Sequence, residues 1–232
     1  LRAAIEAEQS RGVHGPQRGP VSITQVTEKG TVHTLDELRA LTAVAQGFGC
    51  KTHLDGARFS NALVALDCTA AEMTWKAGVD TVSFGGTKNG LLGVEACVIF
   101  DPDLAWEFEL RRKRGGHLFS KHRYLSAQMQ AYLTDNLWHD LASAANANCA
   151  RLAAGLRKYA ATEFLFEPEA NMIFARLPRR DHKRLLDAGA NYYVWDGDPN
   201  EGDPDAPLIG RFVCDWSMTD AAIDQFLDVL HG

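Results

Sequence analysis

Two short segments carry residue types and spacings that can do chemistry. The first is His53-Leu54-Asp55-Gly56-Ala57-Arg58, and the second is Ser83-Phe84-Gly85-Gly86-Thr87-Lys88-Asn89-Gly90. Each places polar groups just beyond a short run that reads as a strand, and open α/β sheets bind ligands at the carboxyl ends of their strands. Asp55 and Lys88 are 33 residues apart, about one strand–helix–strand crossover plus loops, so the two strand ends can share one rim. A lysine amine forms a Schiff base with an aldehyde. A strand-end carboxylate can pair with a protonated pyridine nitrogen and keep that ring an electron sink. These are the two requirements of pyridoxal phosphate. Glycines around Lys88 permit close backbone approach. Taken singly the signals are weak: Asp-Gly usually marks a turn and Gly-Thr-Lys a loop. Lys88 is followed by Asn89, so a nucleotide-binding phosphate loop ending in Gly-Lys-Ser/Thr is not supported.

The elements that must position these residues alternate. Residues 1–10 read as helical, followed by a Gly/Pro loop and a strand over 21–26. Thr34 and Glu37 form a capping-box pattern that opens a helix to about Phe48. Short strands are expected at 51–54, 80–84 and 95–100, with helical segments at 60–66 and 69–76 between them. The fold class expected is α/β, a mixed, mostly parallel sheet flanked by helices. After Pro102 the pattern changes to long helical stretches at 103–114 and 121–160. A smaller α+β unit follows, with strands at 171–177, 192–195 and 209–214 and helices at 180–188 and 220–230. The expected organisation is a larger domain over 1–150 and a small C-terminal α+β domain over 151–232. Residues 196–207 form an acidic, turn-rich segment that lacks the spacing of a calcium loop and reads as solvated.

Composition narrows the function classes. The chain has 232 residues, a formal charge of −6 and 46% hydrophobic residues, an ordinary globular balance. A net acidic chain is not built to coat nucleic acid. No apolar run approaches the roughly 18–20 residues of a membrane span, so neither nucleic acid nor membrane is an expected partner. The start, Leu-Arg-Ala-Ala-Ile-Glu, has no signal-peptide pattern and reads like a chain joined within a helix. Cysteines 50, 68, 97, 149 and 214 show no Cys-x-x-Cys spacing. They suggest neither a disulfide framework nor a metal site, and read as reduced thiols of a cytoplasmic protein. The basic run Arg111 to Arg114, continued by Lys121 and Arg123, is either a solvated helix end or an anion site.

At these residues the sequence resembles the threonine aldolase family of pyridoxal-phosphate enzymes, within the aspartate-aminotransferase-like fold. The matching segments are His-Leu-Asp-Gly-Ala-Arg at 53–58, Phe-Gly-Gly-Thr-Lys-Asn-Gly at 84–90, the basic run at 111–116 with Ser-Lys-His-Arg at 120–123, and Gly210-Arg211-Phe212-Val213. The likeness is greatest to the bacterial low-specificity L-threonine aldolases. It implies that Lys88 is the Schiff-base lysine and that Asp55 holds the pyridine nitrogen. It also implies that Arg58 and Arg211 clamp the substrate carboxylate, and that Thr87, Lys121 and Arg123 reach the cofactor phosphate. His14 falls near a family histidine that lies close to the substrate hydroxyl; the alternative is a loop histidine with no role. His53 reads as structural.

The reaction implied is cleavage of L-threonine, allo-threonine or a related β-hydroxy-α-amino acid to glycine and an aldehyde, in a homodimer or homotetramer. The family also has a portion preceding the segment that matches residue 1, which supplies a phosphate loop and a ring stacked on the pyridine. Neither is found here, so the expectation for this chain alone is weak cofactor binding. Two other readings stay open. One is a related pyridoxal-phosphate lyase or decarboxylase, since the Asp–Lys pair is shared. The other is a catalytically incompetent chain serving as a structural subunit.

Overall fold

The capping box at Thr34 forms as expected. The backbone N–H of Glu37 donates to Thr34 Oγ1 at 3.2 Å, and the backbone N–H of Thr34 donates to the Glu37 carboxylate at 2.8 Å. Two orphan donors are thereby satisfied at the start of α2 (Leu35–Gly47), a cap that contributes about 1 kcal/mol. The computed structural model describes residues 1–8 and 12–232. The predicted N-terminal helix is present: α1 spans Arg2–Ala7 and passes at Glu8 into a 3-10 turn, and residues 9 and 10, the end of the predicted span, lie outside the described residues.

The chain forms two compact units, one of residues 1–25 and 33–138 and the other of residues 26–32 and 139–232. The first holds a four-stranded sheet, β1 (Val21–Thr24), β2 (Thr52–Gly56), β3 (Thr81–Gly85) and β4 (Glu95–Ile99), in that order across the sheet. The first three strands are parallel and β4 is antiparallel to β3, so the expected mixed, mostly parallel sheet is present. Ile23, Leu54 and Val82 stand in register across the three parallel strands and are buried. Buried residues of α2 (Leu38, Ala45) and of α3 (Phe59–Leu66) join the same core. Burying each such Leu, Ile, Val or Phe contributes about 1.5–3 kcal/mol. Alternation along β2 leaves His53 and Asp55 on the opposite, half-buried face. A second capping box, Thr69 with Glu72, opens the short α4 (Ala70–Met73).

The helical stretch expected over 121–160 is not continuous. It divides into α6 (Arg123–Leu133) and α7 (Leu137–Leu156), and the break falls at Asp135 and Asn136, whose φ angles are +51° and +62°. Asp and Asn tolerate this left-handed conformation better than other non-glycine residues. Upstream, α5 (Ala105–Arg114) ends in the four basic residues, which suit a helix C-terminus, where the dipole is negative. The second unit contains an antiparallel sheet of β5 (Glu163–Phe164), β6 (Met172–Pro178), β7 (Tyr193–Val194) and β8 (Pro207–Val213), in the order β5-β6-β8-β7. Its core joins Cys149, Leu152, Ala153 and Leu156 of α7 to Ile173, Ala175, Leu177 and Phe212 of the sheet. Leu185 of α8 (Arg179–Asp187) and Ile223 and Leu230 of α9 (Asp220–His231) complete it. No helix among the described residues is long and apolar enough to cross a membrane.

Candidate active site

Parallel pairing brings the carboxyl ends of β1, β2 and β3 to one rim of the first sheet. Thr24, Asp55 and Ser83 are in register across it. Beyond β3 the chain turns through Gly86 into a single helical turn, Thr87–Asn89, that carries Lys88. Asp55 and Lys88 therefore stand at the same rim, one strand apart. Glycine makes the approach possible, since a Cβ on Gly85 would lie 2.5 Å from the carbonyl oxygen of Ala57. Gly90 closes the turn at φ +110°, a conformation that side chains rarely adopt.

The Lys88 turn is fixed from beneath by buried polar groups. Asn89 is buried, and its amide donates to the Tyr132 hydroxyl at 2.6 Å and to the Trp138 carbonyl at 2.8 Å. Tyr132, wholly buried, lies 3.4 Å from the Gly85 carbonyl and 3.1 Å from Ser60 Oγ. Burial pushes its phenol above the ordinary tyrosine value, although the bonds to Ser60 and Asn89 oppose this, so the hydroxyl keeps its proton and can donate. Phe84 packs against the rings of Phe59, Tyr132 and Trp138 with centroids 5.4, 5.8 and 6.0 Å away. On the other side, the Glu95 carboxylate accepts the backbone N–H groups of Gly86 at 3.1 Å and Thr87 at 3.2 Å. The lysine side chain thus projects from a turn whose backbone is held at several points.

The two central groups lack counter-ions among the described residues. Asp55 is half-buried, and its Oδ1 accepts the Ala57 N–H at 3.1 Å. Its other oxygen has no partner among the described residues, and Lys88 is exposed with neither an ion pair nor a hydrogen bond there. His53, on the same face as Asp55, bridges Ser22 Oγ at 2.9 Å and Ser83 Oγ at 2.8 Å, which ties β1, β2 and β3 together. Arg58 is 8% exposed at the residue preceding α3, three positions beyond Asp55.

A family model described as beta-eliminating lyase matches residues 1–178. The chain belongs to the beta-eliminating lyase family. Within that family it is 40% identical, over 94% of its length, to the low-specificity L-threonine aldolase of Pseudomonas sp. (strain NCIMB 10558), of which it covers 61%. It is equally identical, over 90% of its length, to the low-specificity L-threonine aldolase of Pseudomonas aeruginosa, of which it covers 58%. This family member therefore spans about three fifths of the length of the curated relatives it matches. A solved structure of Leishmania major threonine aldolase superposes with a TM-score of 0.87 at 26% identity, over 99% of this chain and 64% of that one. The threonine aldolase resemblance read from the motifs is borne out by these matches.

The structure of this beta-eliminating lyase family member brings some expected site residues together and leaves others apart. Asp55, Lys88 and Thr87 share the rim, with Arg58 just beyond it at the start of α3. The Thr87 backbone N–H is already taken by Glu95, so only its hydroxyl is free for a ligand. Lys121 and Arg123 are exposed ahead of and at the start of α6, Lys121 at φ +63° and Arg123 with its guanidinium 4.9 Å from the Tyr124 ring centre. His14 is exposed at the end of the 3-10 segment that follows α1. None of these three contacts Asp55 or Lys88 among the described residues. Arg211 lies on β8, in the second unit. Tyr132 and Glu95 were missed by sequence reasoning because they lie outside the motifs and meet the turn only through folding. Asn89 carried a signal, as the residue after the lysine in a Gly-rich turn.

Proposed function

We propose that this chain carries the reactive lysine and the ring-nitrogen carboxylate of a pyridoxal-phosphate-dependent aldehyde-lyase. The reaction is the cleavage of L-threonine, L-allo-threonine or a related β-hydroxy-α-amino acid to glycine and an aldehyde. The observation that carries this reading is the pair at the rim: Asp55 and Lys88, at the ends of adjacent parallel strands, each without a counter-ion among the described residues. The residues fit the cofactor. Lys88 has an amine free to bond an aldehyde carbon, and Asp55 keeps one oxygen open for a pyridinium N–H.

When bound, pyridoxal phosphate supplies an electron sink for the pair released at Cα. The rest is the work of this chain. Asp55 holds the ring nitrogen protonated by charge pairing. Thr87, Lys121 and Arg123 take the phosphate. Arg58 and Arg211 take the substrate α-carboxylate by their planar forked donors and thereby orient the Cα–Cβ bond. His14 takes the proton from the β-hydroxyl. Residues 1–150 belong to the cofactor-binding domain and 151–232 to the small α+β domain. The enzyme is a cytoplasmic homodimer or homotetramer.

The family's description favours one other reading, β-elimination, and product analysis separates the two. The full-length protein is incubated with the cofactor and L-threonine or L-allo-threonine. Glycine and acetaldehyde in equal amounts support the aldolase. Ammonia with a 2-oxo acid establishes the eliminating lyase instead. No turnover of either kind contradicts both.

A further inference from the structure

Tyr132 lies near the end of α6, and its hydroxyl sits between two stretches of chain that bear site residues. One is the arm that leaves β2, with Asp55, Arg58 and, in the first turn of α3, Ser60. The other is the arm that leaves β3, with Gly85, Lys88 and Asn89. The hydroxyl is 3.1 Å from Ser60 Oγ, 2.6 Å from the Asn89 amide nitrogen and 3.4 Å from the Gly85 carbonyl oxygen. Ser60 and Asn89 are as enclosed as the tyrosine, at 1% and 3% exposed, so water does not compete for these bonds.

Donor counting fixes the arrangement. The Asn89 amide gives one hydrogen to the Trp138 carbonyl and the other to the Tyr132 oxygen. The Gly85 carbonyl only accepts, so the single phenol proton goes there and Ser60 donates to the tyrosine. The hydroxyl thus donates once and accepts twice, with its capacity filled. The other contacts between the arms are the close approach of Gly85 to Ala57 and the Phe59 ring against the Phe84 ring, 5.4 Å between centres. Apolar packing of that kind sets a separation and is non-directional. Hydrogen bonds also fix direction. We propose that Tyr132 is a positioning residue for the reactive lysine: its hydroxyl aims the Lys88 turn relative to the arm that carries Asp55 and Arg58. A misplacement of about 1 Å between reacting groups can slow a reaction about a hundredfold. The inference rests on the reading of Lys88 as the residue that bonds the cofactor aldehyde.

The test compares the full-length parent protein with Tyr132→Phe, which removes one oxygen atom and keeps a ring against Phe84. Three quantities are measured: amide hydrogen exchange across residues 85–90 without cofactor, the pyridoxal phosphate concentration that half-saturates borohydride trapping on Lys88, and the urea midpoint. Native circular dichroism is expected, with exchange across 85–90 faster by about tenfold and exchange in the second unit unchanged. The half-saturating concentration should rise by about three- to tenfold. Ser60→Ala leaves the Asn89 and Gly85 bonds in place. It should give the same changes to a smaller degree, and it decides the matter if Tyr132→Phe does not fold. A lower urea midpoint with the half-saturating concentration unchanged makes the hydroxyl structural only and overturns the proposal, whether or not exchange is faster. A parent protein that is not labelled at Lys88 removes the lysine reading and this proposal with it. A failure confined to the variants removes the proposal alone.

Discussion

Asp55 and Lys88 face the rim of the first sheet without counter-ions among the described residues, and their chemistry is separable from their packing. Asp55→Asn keeps the size of the side chain and an oxygen for the Ala57 N–H but removes the charge. The expected outcome is a urea midpoint within about 0.5 kcal/mol of the parent, with kcat/KM for L-threonine lower by roughly two orders of magnitude. Wild-type turnover in that variant would remove Asp55 from the chemistry. This pair was legible in the sequence because a lysine flanked by glycines and an aspartate at a strand end stand out by type and spacing. Tyr132 was not legible. It reaches Asn89 and the Gly85 carbonyl across 43 and 47 residues of chain, and only the folded backbone brings them together.

At the scale of elements, the turn bearing Lys88 depends on two kinds of restraint. The first is close approach. Gly85→Ala would drive a Cβ to 2.5 Å from the Ala57 carbonyl, and either strand must shift to relieve it. A loss of about 1–3 kcal/mol in urea unfolding is expected; a neutral substitution would show that β2 and β3 do not need this contact. The second is the buried network. Asn89→Ala removes the donor to the Tyr132 hydroxyl and to the Trp138 carbonyl, at a cost of about 1–3 kcal/mol in the same measurement. The helix α2 was legible because its capping box is a local signal, and the parallel sheet because strands and helices alternate. The division between α6 and α7 was not, since Thr134–Asn136 interrupts an otherwise helical pattern by backbone conformation alone. The strand β5 has only two residues, too few for any alternation to be seen.

At the scale of the whole chain, pH acts through a buried imidazole in the second unit. His182 Nε2 faces the Leu208 carbonyl at 2.9 Å, and its Nδ1 faces the Tyr192 hydroxyl at 2.8 Å. A carbonyl only accepts, so Nε2 carries the proton and Nδ1 accepts from the tyrosine. Burial holds His182 below the ordinary imidazole value of 6.5, although the Leu208 bond and Asp181 oppose it. The unfolded chain takes up this proton near pH 6.5 and the folded chain only at lower pH. The unfolded state therefore binds more protons below pH 6.5, and stability falls as pH drops through that window. The slope from this group reaches at most about 1.4 kcal/mol per pH unit. Urea midpoints between pH 7.5 and 5 should show the decline, and His182→Gln should flatten it. An unchanged slope in the variant would assign the pH dependence to other groups. The architecture was readable at this scale from alternation and motif order, whereas the buried histidine was not, because nothing adjacent in sequence marks it as enclosed.

The central claim is that Lys88 is the residue that bonds the cofactor aldehyde, and covalent trapping tests it most directly. The full-length protein is titrated with pyridoxal phosphate, reduced with borohydride, digested and mapped by mass spectrometry. The expected result is a phosphopyridoxyl label on Lys88 that saturates before any other lysine is modified. The same treatment of Lys88→Ala should leave no site that saturates early. A label spread evenly over surface lysines, or concentrated on a lysine other than Lys88, would contradict the assignment.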